Sequence, residues 1–148
     1  MVYLCENNLY SVSTRVERQT RETNLSRRAA SYGIAAERVD GNDVVDVYLA
    51  VERAVAAARG GAGAQFVECL TYRQGGHKRD DPASYRPSEE VELWLTRDPI
   101  SRLDTALEKA GYSAAVGLAK DRAVAAIDAA VEFADKSPLA VADEAVVR

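Results

Sequence analysis

Residues 44–59, VVDVYLAVERAVAAAR, most constrain what this chain can fold into. Apolar Val44, Val47, Tyr48, Val51 and Val55 recur at three- and four-residue spacing, which predicts a helix with a single apolar stripe. Asn42 or Asp43 is placed to cap its start, and Gly60 and Gly61 to end it. QFVECLTY follows as a strand, with Phe66 and Val67 suited to a sheet. Upstream, NLSRRAASYGI predicts a helix from about Asn24 to Tyr32 stopped by Gly33, then a very short strand at Arg38–Asp40. Val2–Cys5 reads as a buried strand running into the polar ENN. Strand, helix, short strand, helix, strand is the rhythm of an α/β domain with parallel strands. Two strong strands and a weak one make a small sheet, and Val2–Cys5 looks central. The sequence therefore predicts that part of the sheet is supplied elsewhere, upstream in a longer protein or by a partner chain.

Beyond residue 87 the pattern is helical. Ser88 can cap EEVELWLTR, whose Glu89 and Glu90 suit a helix N-terminus. Asp98-Pro99 is a cap with a first-turn proline for a helix ending near Gly111. Ser113 opens an alanine-rich helix to about Lys136, closed by Ser137-Pro138. A net charge of −4 argues against general nucleic-acid binding. No apolar run approaches the roughly 20 residues that span a bilayer, so no membrane role is expected and the predicted setting is cytoplasmic. Cys5 and Cys69 have no CxxC spacing and read as buried reduced thiols.

Four segments could carry chemistry. RGGAGAQ (59–65) runs from helix to strand, the reverse of a phosphate loop, and is read as a C-cap and connection. DGND (40–43) has too few oxygens at the wrong spacing for a calcium loop and is read as a turn plus helix cap. CENNLYSVST (5–14) lies at the carboxyl end of a predicted strand, where open α/β sheets place ligands. Its asparagines are either turn residues or neutral oxygen ligands for a hard cation such as Mg²⁺. YRQGGHKRDDPASYR (72–86) holds the single histidine, His77, beside two glycines and Arg73, Lys78 and Arg79. His77 is either an exposed loop residue or part of a site for an anionic ligand.

CENNLYSVST, RVDGNDV, TYRQGGHKRDDPASYR and DPISRL, in that order, resemble the alpha subunit of the thiamine-diphosphate-dependent 2-oxoacid dehydrogenases. This family comprises the decarboxylating first components of the pyruvate, branched-chain 2-oxoacid and acetoin dehydrogenase complexes. The resemblance covers essentially the whole chain and weakens after about Lys109. It implies a parallel-sheet cofactor domain over residues 1–87 and a helical tail over 88–148. It also implies that Asn8 and the Tyr10 carbonyl bind Mg²⁺ beside the diphosphate. His77 would reach the cofactor as the catalytic-site contact, and Asp81-Pro82 and Tyr85-Arg86 would belong to a loop that orders over it.

The implied partners are a beta subunit, within a heterotetramer, and the lipoyl-bearing acyltransferase component. The implied reaction is decarboxylation of a 2-oxoacid and transfer of the acyl group to lipoyl, with acetoin cleavage as an alternative. Gly-Asp-Gly, the proximal half of the cofactor motif, is absent from the 148 residues, together with the family's aspartate ligand to Mg²⁺. The chain is therefore expected to be the C-terminal half of the subunit. It would need the missing N-terminal half as a partner, or be a non-catalytic remnant or beta-subunit-binding module. Lys78 stands where many relatives carry serine, and Ser84 matches a second such serine, with nothing in this chain to support control by a kinase.

Overall fold

The computed structural model describes residues 1–139. In chain order its elements are β1 (Val2–Asn7), β2 (Tyr10–Ser11), β3 (Thr14–Arg15), α1 (Val16–Gln19), α2 (Leu25–Ser31) and β4 (Ala35–Asp40). They continue with α3 (Val44–Arg59), β5 (Gln65–Leu70), α4 (Ser88–Leu95), α5 (Pro99–Lys109) and α6 (Ser113–Lys136). The fold is α/β, as expected, around a parallel three-stranded sheet in the order β1-β5-β4. Two compact units divide the chain, Met1–Leu103 and the part from Asp104 onward. The first holds the sheet, α1–α4 and the histidine loop. The second is helical as far as Lys136, and the rest of the expected helical tail, from residue 140, lies outside the described residues.

Several expectations are corrected. Val2–Asn7 is an edge strand among the described residues, and β5 is the centre, because only β5 is bonded on both sides. The short strand at Arg38–Asp40 extends back to Ala35, since all six residues pair in register with Gln65–Leu70. The face of α3 that meets the sheet shares only Val47 with the valine–tyrosine stripe. Ala50 and Ala54 are buried with Val67 and Cys69, and Val47 packs against them, while Tyr48 is exposed. Small side chains let the helix axis approach the sheet closely, which the bulkier face could not do. Pro87 rather than Ser88 precedes the first turn of α4. Of the two thiols only Cys69 is buried, Cys5 being half-buried at the sheet edge.

The caps follow the sequence. Asn24 caps α2, Asp43 caps α3 through the Val45 and Asp46 amides, and the Asp98 carboxylate accepts from Ser101 in α5. Gly60 ends α3, and Gly33 and Gly61 take φ of 75° and 83°. RGGAGAQ and DGND are thus connection and cap, as read. No helix among the described residues is long and apolar enough to cross a membrane.

Candidate functional site

The register of the sheet brings Asn7, Leu70 and Asp40 to one level at its carboxyl edge. From there the Thr71 amide donates to the Asn7 carbonyl at 2.9 Å, and the Gly41 amide to the Leu70 carbonyl at 2.8 Å. Gly41 suits this close approach, because a Cβ there would sit 3.0 Å from the Cys69 backbone and side chain, a tight contact. Over this edge lies a cavity of about 370 Å³ lined by Glu6, Asn8, Thr71, Tyr72 and Arg73 among others.

Both asparagines of the CENN loop fold back on the chain. The Leu9 amide donates to Asn7 Oδ1 at 3.2 Å and the Tyr10 amide to Asn8 Oδ1 at 3.1 Å. Between them Leu9 takes φ 69°, and further on Val12 takes φ 52°, a costly angle for a β-branched residue. The turn reading of these asparagines is realised. The ligand reading survives beside it, since an amide oxygen has a second lone pair and Asn8 lines the cavity.

Tyr10 is buried, and its side chain turns to Glu90 at the start of α4. Its hydroxyl donates to Glu90 Oε1 at 2.7 Å, Tyr72 donates to the same oxygen at 2.9 Å, and Arg15 donates to Oε2 at 2.5 Å. Burial, then the hydrogen bond to Glu90, pushes the Tyr10 phenol up to about 12. Burial also pushes the Glu90 carboxyl up, but the hydrogen bonds from Tyr10, Arg15 and Tyr72 outweigh it and hold it below its ordinary value. Tyr72 stacks on Trp94 with 5.3 Å between ring centroids, which pins α4 to the sheet edge.

The histidine loop is held by three side chains. Asp81 accepts from the His77 amide at 2.7 Å, the Ala83 amide at 2.9 Å and the Tyr85 hydroxyl at 2.8 Å. Those donors, in that order, lower its carboxyl to about 2. Arg86 is buried and donates to the Arg73, Gln74 and Gly75 carbonyls. Arg73 joins the two loops: it donates to the Val12 carbonyl at 2.6 Å, to the Tyr85 hydroxyl at 2.7 Å and to His77 Nδ1 at 3.3 Å. A guanidinium only donates, so this contact suits the tautomer in which Nδ1 accepts and Nε2 carries the proton. Gly76 is obligatory, since a Cβ there would overlap the Asp81 carbonyl oxygen.

Asn8 therefore lines the cavity, whereas Tyr10 and His77 are not among its lining residues: the Tyr10 side chain turns to Glu90, and His77 is exposed and tied in through Arg73. Reading the sequence missed Glu68 and the hub role of Glu90. A carboxylate inside the apolar strand QFVECL was the available signal for Glu68, which is fully buried. Among the described residues no three His, Cys, Asp or Glu side chains gather into a metal site.

Residues 1–142 match the family model described as dehydrogenase E1 component. The chain is 43% identical over 111 residues to the 3-methyl-2-oxobutanoate dehydrogenase subunit alpha of Mycobacterium tuberculosis, a match covering 74% of this chain and 30% of the relative. It is 40% identical over 114 residues to the pyruvate dehydrogenase E1 component subunit alpha of Rhizobium meliloti, covering 76% and 33%. It is 34% identical over 149 positions to the 2-oxoisovalerate dehydrogenase subunit alpha of Bacillus subtilis, covering 99% and 45%. The chain spans less than half the length of these curated relatives, which corrects the expectation that it is the C-terminal half of the subunit. The chain belongs to the dehydrogenase E1 component family, and its relatives there are alpha subunits of 2-oxoacid dehydrogenases.

Proposed function

We propose that this chain is the portion of a thiamine-diphosphate-dependent 2-oxoacid dehydrogenase alpha subunit that carries the Asn8 and His77 loops. The observation that carries the reading is the cavity at the carboxyl edge of the sheet, where Asn8 and Arg73 meet. Arg73 lines this cavity with a fixed positive charge, which suits an anionic group such as a diphosphate. Asn8 Oδ1 and the Tyr10 carbonyl would be neutral oxygen ligands to Mg²⁺, and a carboxylate ligand must come from outside these two. His77 would contact the cofactor as the catalytic-site residue.

When bound, the cofactor supplies the electron sink for loss of CO₂ from a 2-oxoacid, and the acyl group leaves to a lipoyl acceptor. This chain's own residues position and neutralise. Arg73 offsets negative charge at the cavity and favours the His77 tautomer that leaves Nε2–H to donate. Asp81 and Arg86 hold the loop backbone so that the imidazole is not free to wander. A beta subunit and a lipoyl-bearing acyltransferase are the partners this reading requires, in a cytoplasmic heterotetramer.

The test is an assay of the chain assembled with the remaining length of a relative's alpha subunit and its beta subunit. Pyruvate, 3-methyl-2-oxobutanoate and acetoin are supplied in turn with a lipoylated acceptor. Turnover of one 2-oxoacid, dependent on added thiamine diphosphate, supports the proposal. Turnover of acetoin alone would move the substrate class, and assembly without turnover of any of them would make the chain a beta-subunit-binding module.

A further inference from the structure

Glu68 is a charged residue at the centre of the sheet with no solvent exposure at all. Burying a carboxylate is costly unless every acceptor position finds a donor. The donors here come from three directions. Asn7 Nδ2 donates to Oε1 at 2.7 Å, the Ser26 amide in the first turn of α2 donates to Oε2 at 2.8 Å, and Arg38 Nε of β4 lies 3.6 Å from Oε1. Nothing in the proposed chemistry uses Glu68 directly, yet it sits one contact behind the CENN turn.

We infer that Glu68 is a positioning residue that sets the orientation of the Asn7 amide and, through it, the left-handed turn presenting Asn8 and the Tyr10 carbonyl. An asparagine amide can be turned end for end with little change of shape, so something must choose between its two orientations. A buried carboxylate can only accept. It therefore selects the NH₂ end of Asn7 and leaves Oδ1 facing the other way, where the Leu9 amide donates to it at 3.2 Å. That bond spans Asn8 and anchors the amide of Leu9, the residue held at φ 69°, a conformation unfavourable for leucine that the following bond, from the Tyr10 amide to Asn8 Oδ1, spans and offsets. Asn8 and Tyr10 follow directly, tied to each other by the next Asx turn. The significance for Mg²⁺ rests on the proposed function, whereas the turn itself can be read without metal or cofactor.

The test exploits polarity. Glu68→Gln keeps shape and lets the amide oxygen accept from Ser26, but turns a donor toward Asn7 Nδ2. The Asn7 amide must then flip, which sets its NH₂ against the Leu9 amide. Asn7→Asp instead faces one carboxylate with another. The double variant, Glu68→Gln with Asn7→Asp, exchanges donor and acceptor between the two positions. The amide at position 68 then donates to the carboxylate at position 7, whose other oxygen accepts from Leu9. Amide hydrogen exchange, followed by NMR on the chain alone, reads Leu9 against Val67 of the central strand. Each single variant should speed Leu9 exchange relative to Val67 by roughly tenfold, the scale of one lost hydrogen bond to a buried partner. The double variant should return it to within about threefold of the parent. An unchanged ratio in the single variants, or no return in the double, overturns the inference. If a single variant is too unstable to measure, the double variant decides alone: folded with Leu9 protected supports it, and unfolded or unprotected overturns it. Because no metal is present, neither result depends on whether the loop binds Mg²⁺.

Discussion

Tyr10 and Glu90 lie 80 positions apart and share a 2.7 Å hydrogen bond that ties the CENN loop to the first turn of α4. Since Arg15 and Tyr72 use the same carboxylate, removing it strands three donors at once. Glu90→Ala should destabilise the first unit by about 3 kcal/mol, and Tyr10→Phe by roughly 1–2 kcal/mol. Urea unfolding followed by tryptophan fluorescence measures both, Trp94 lying within this cluster.

The same pair gives opposite pH responses. Glu90 has a lowered folded value, so its contribution is present above the ordinary carboxylate value of 4.5 and is lost as pH falls below it. Tyr10 has a raised value, so its contribution is present below 10 and is lost as pH rises toward about 12. Burial and Glu90 also raise Tyr72, so ultraviolet titration of the tyrosines should show a late-ionising component whose latest part, near 12, disappears in Tyr10→Phe. Its survival in that variant would assign the component elsewhere.

The histidine loop should depend on pH through Asp81. Its folded value of about 2 lies below the ordinary 3.8, so the carboxylate holds the loop fully above about 4 and releases it as pH falls from there toward 2. Protection of the His77 amide against hydrogen exchange should fall over that window while β5 amides stay protected. Asp81→Asn should show weak protection at every pH.

Gly76→Ala should open the same loop at neutral pH. The new methyl would overlap the Asp81 carbonyl oxygen, and backbone cannot yield as a flexible side chain could. Loss of His77 amide protection with the sheet intact is the expected result. Gly75→Ala, which meets no atom within 4 Å, is the control and should leave it unchanged.

These devices show where sequence reading succeeds and fails. The cap at Asp98, and that at Asp43 as one of two candidates, were legible because a cap is a local matter of one side chain and the next turn. The parallel strand–helix rhythm was legible for the same reason. The orientation of α3 was not, because periodicity marks an apolar stripe without saying that Ala50 and Ala54 would be the face against Val67. The hairpin Tyr10–Arg15 and the short α1 were also missed, since they arise from left-handed residues Leu9 and Val12 that no propensity favours. The Asn8 and His77 loops stood out by composition. Glu68, Glu90 and the bridging geometry of Arg73 did not, as each acts through partners tens of residues distant.

The Asn8 and His77 loops have separate roles in the proposed function, and one comparison of variants separates them. In the assembled enzyme, reductive acylation of a lipoylated acceptor is measured for His77→Ala and Asn8→Ala beside thiamine diphosphate affinity at several Mg²⁺ concentrations. His77→Ala should lower turnover by about 10²–10⁴, the usual worth of a positioned proton-transfer group, with cofactor affinity little changed. Asn8→Ala should instead weaken cofactor binding, and excess Mg²⁺ should restore part of the activity. Turnover of His77→Ala within a factor of about two of the parent, well short of that range, would leave the histidine a loop residue only, with no catalytic role.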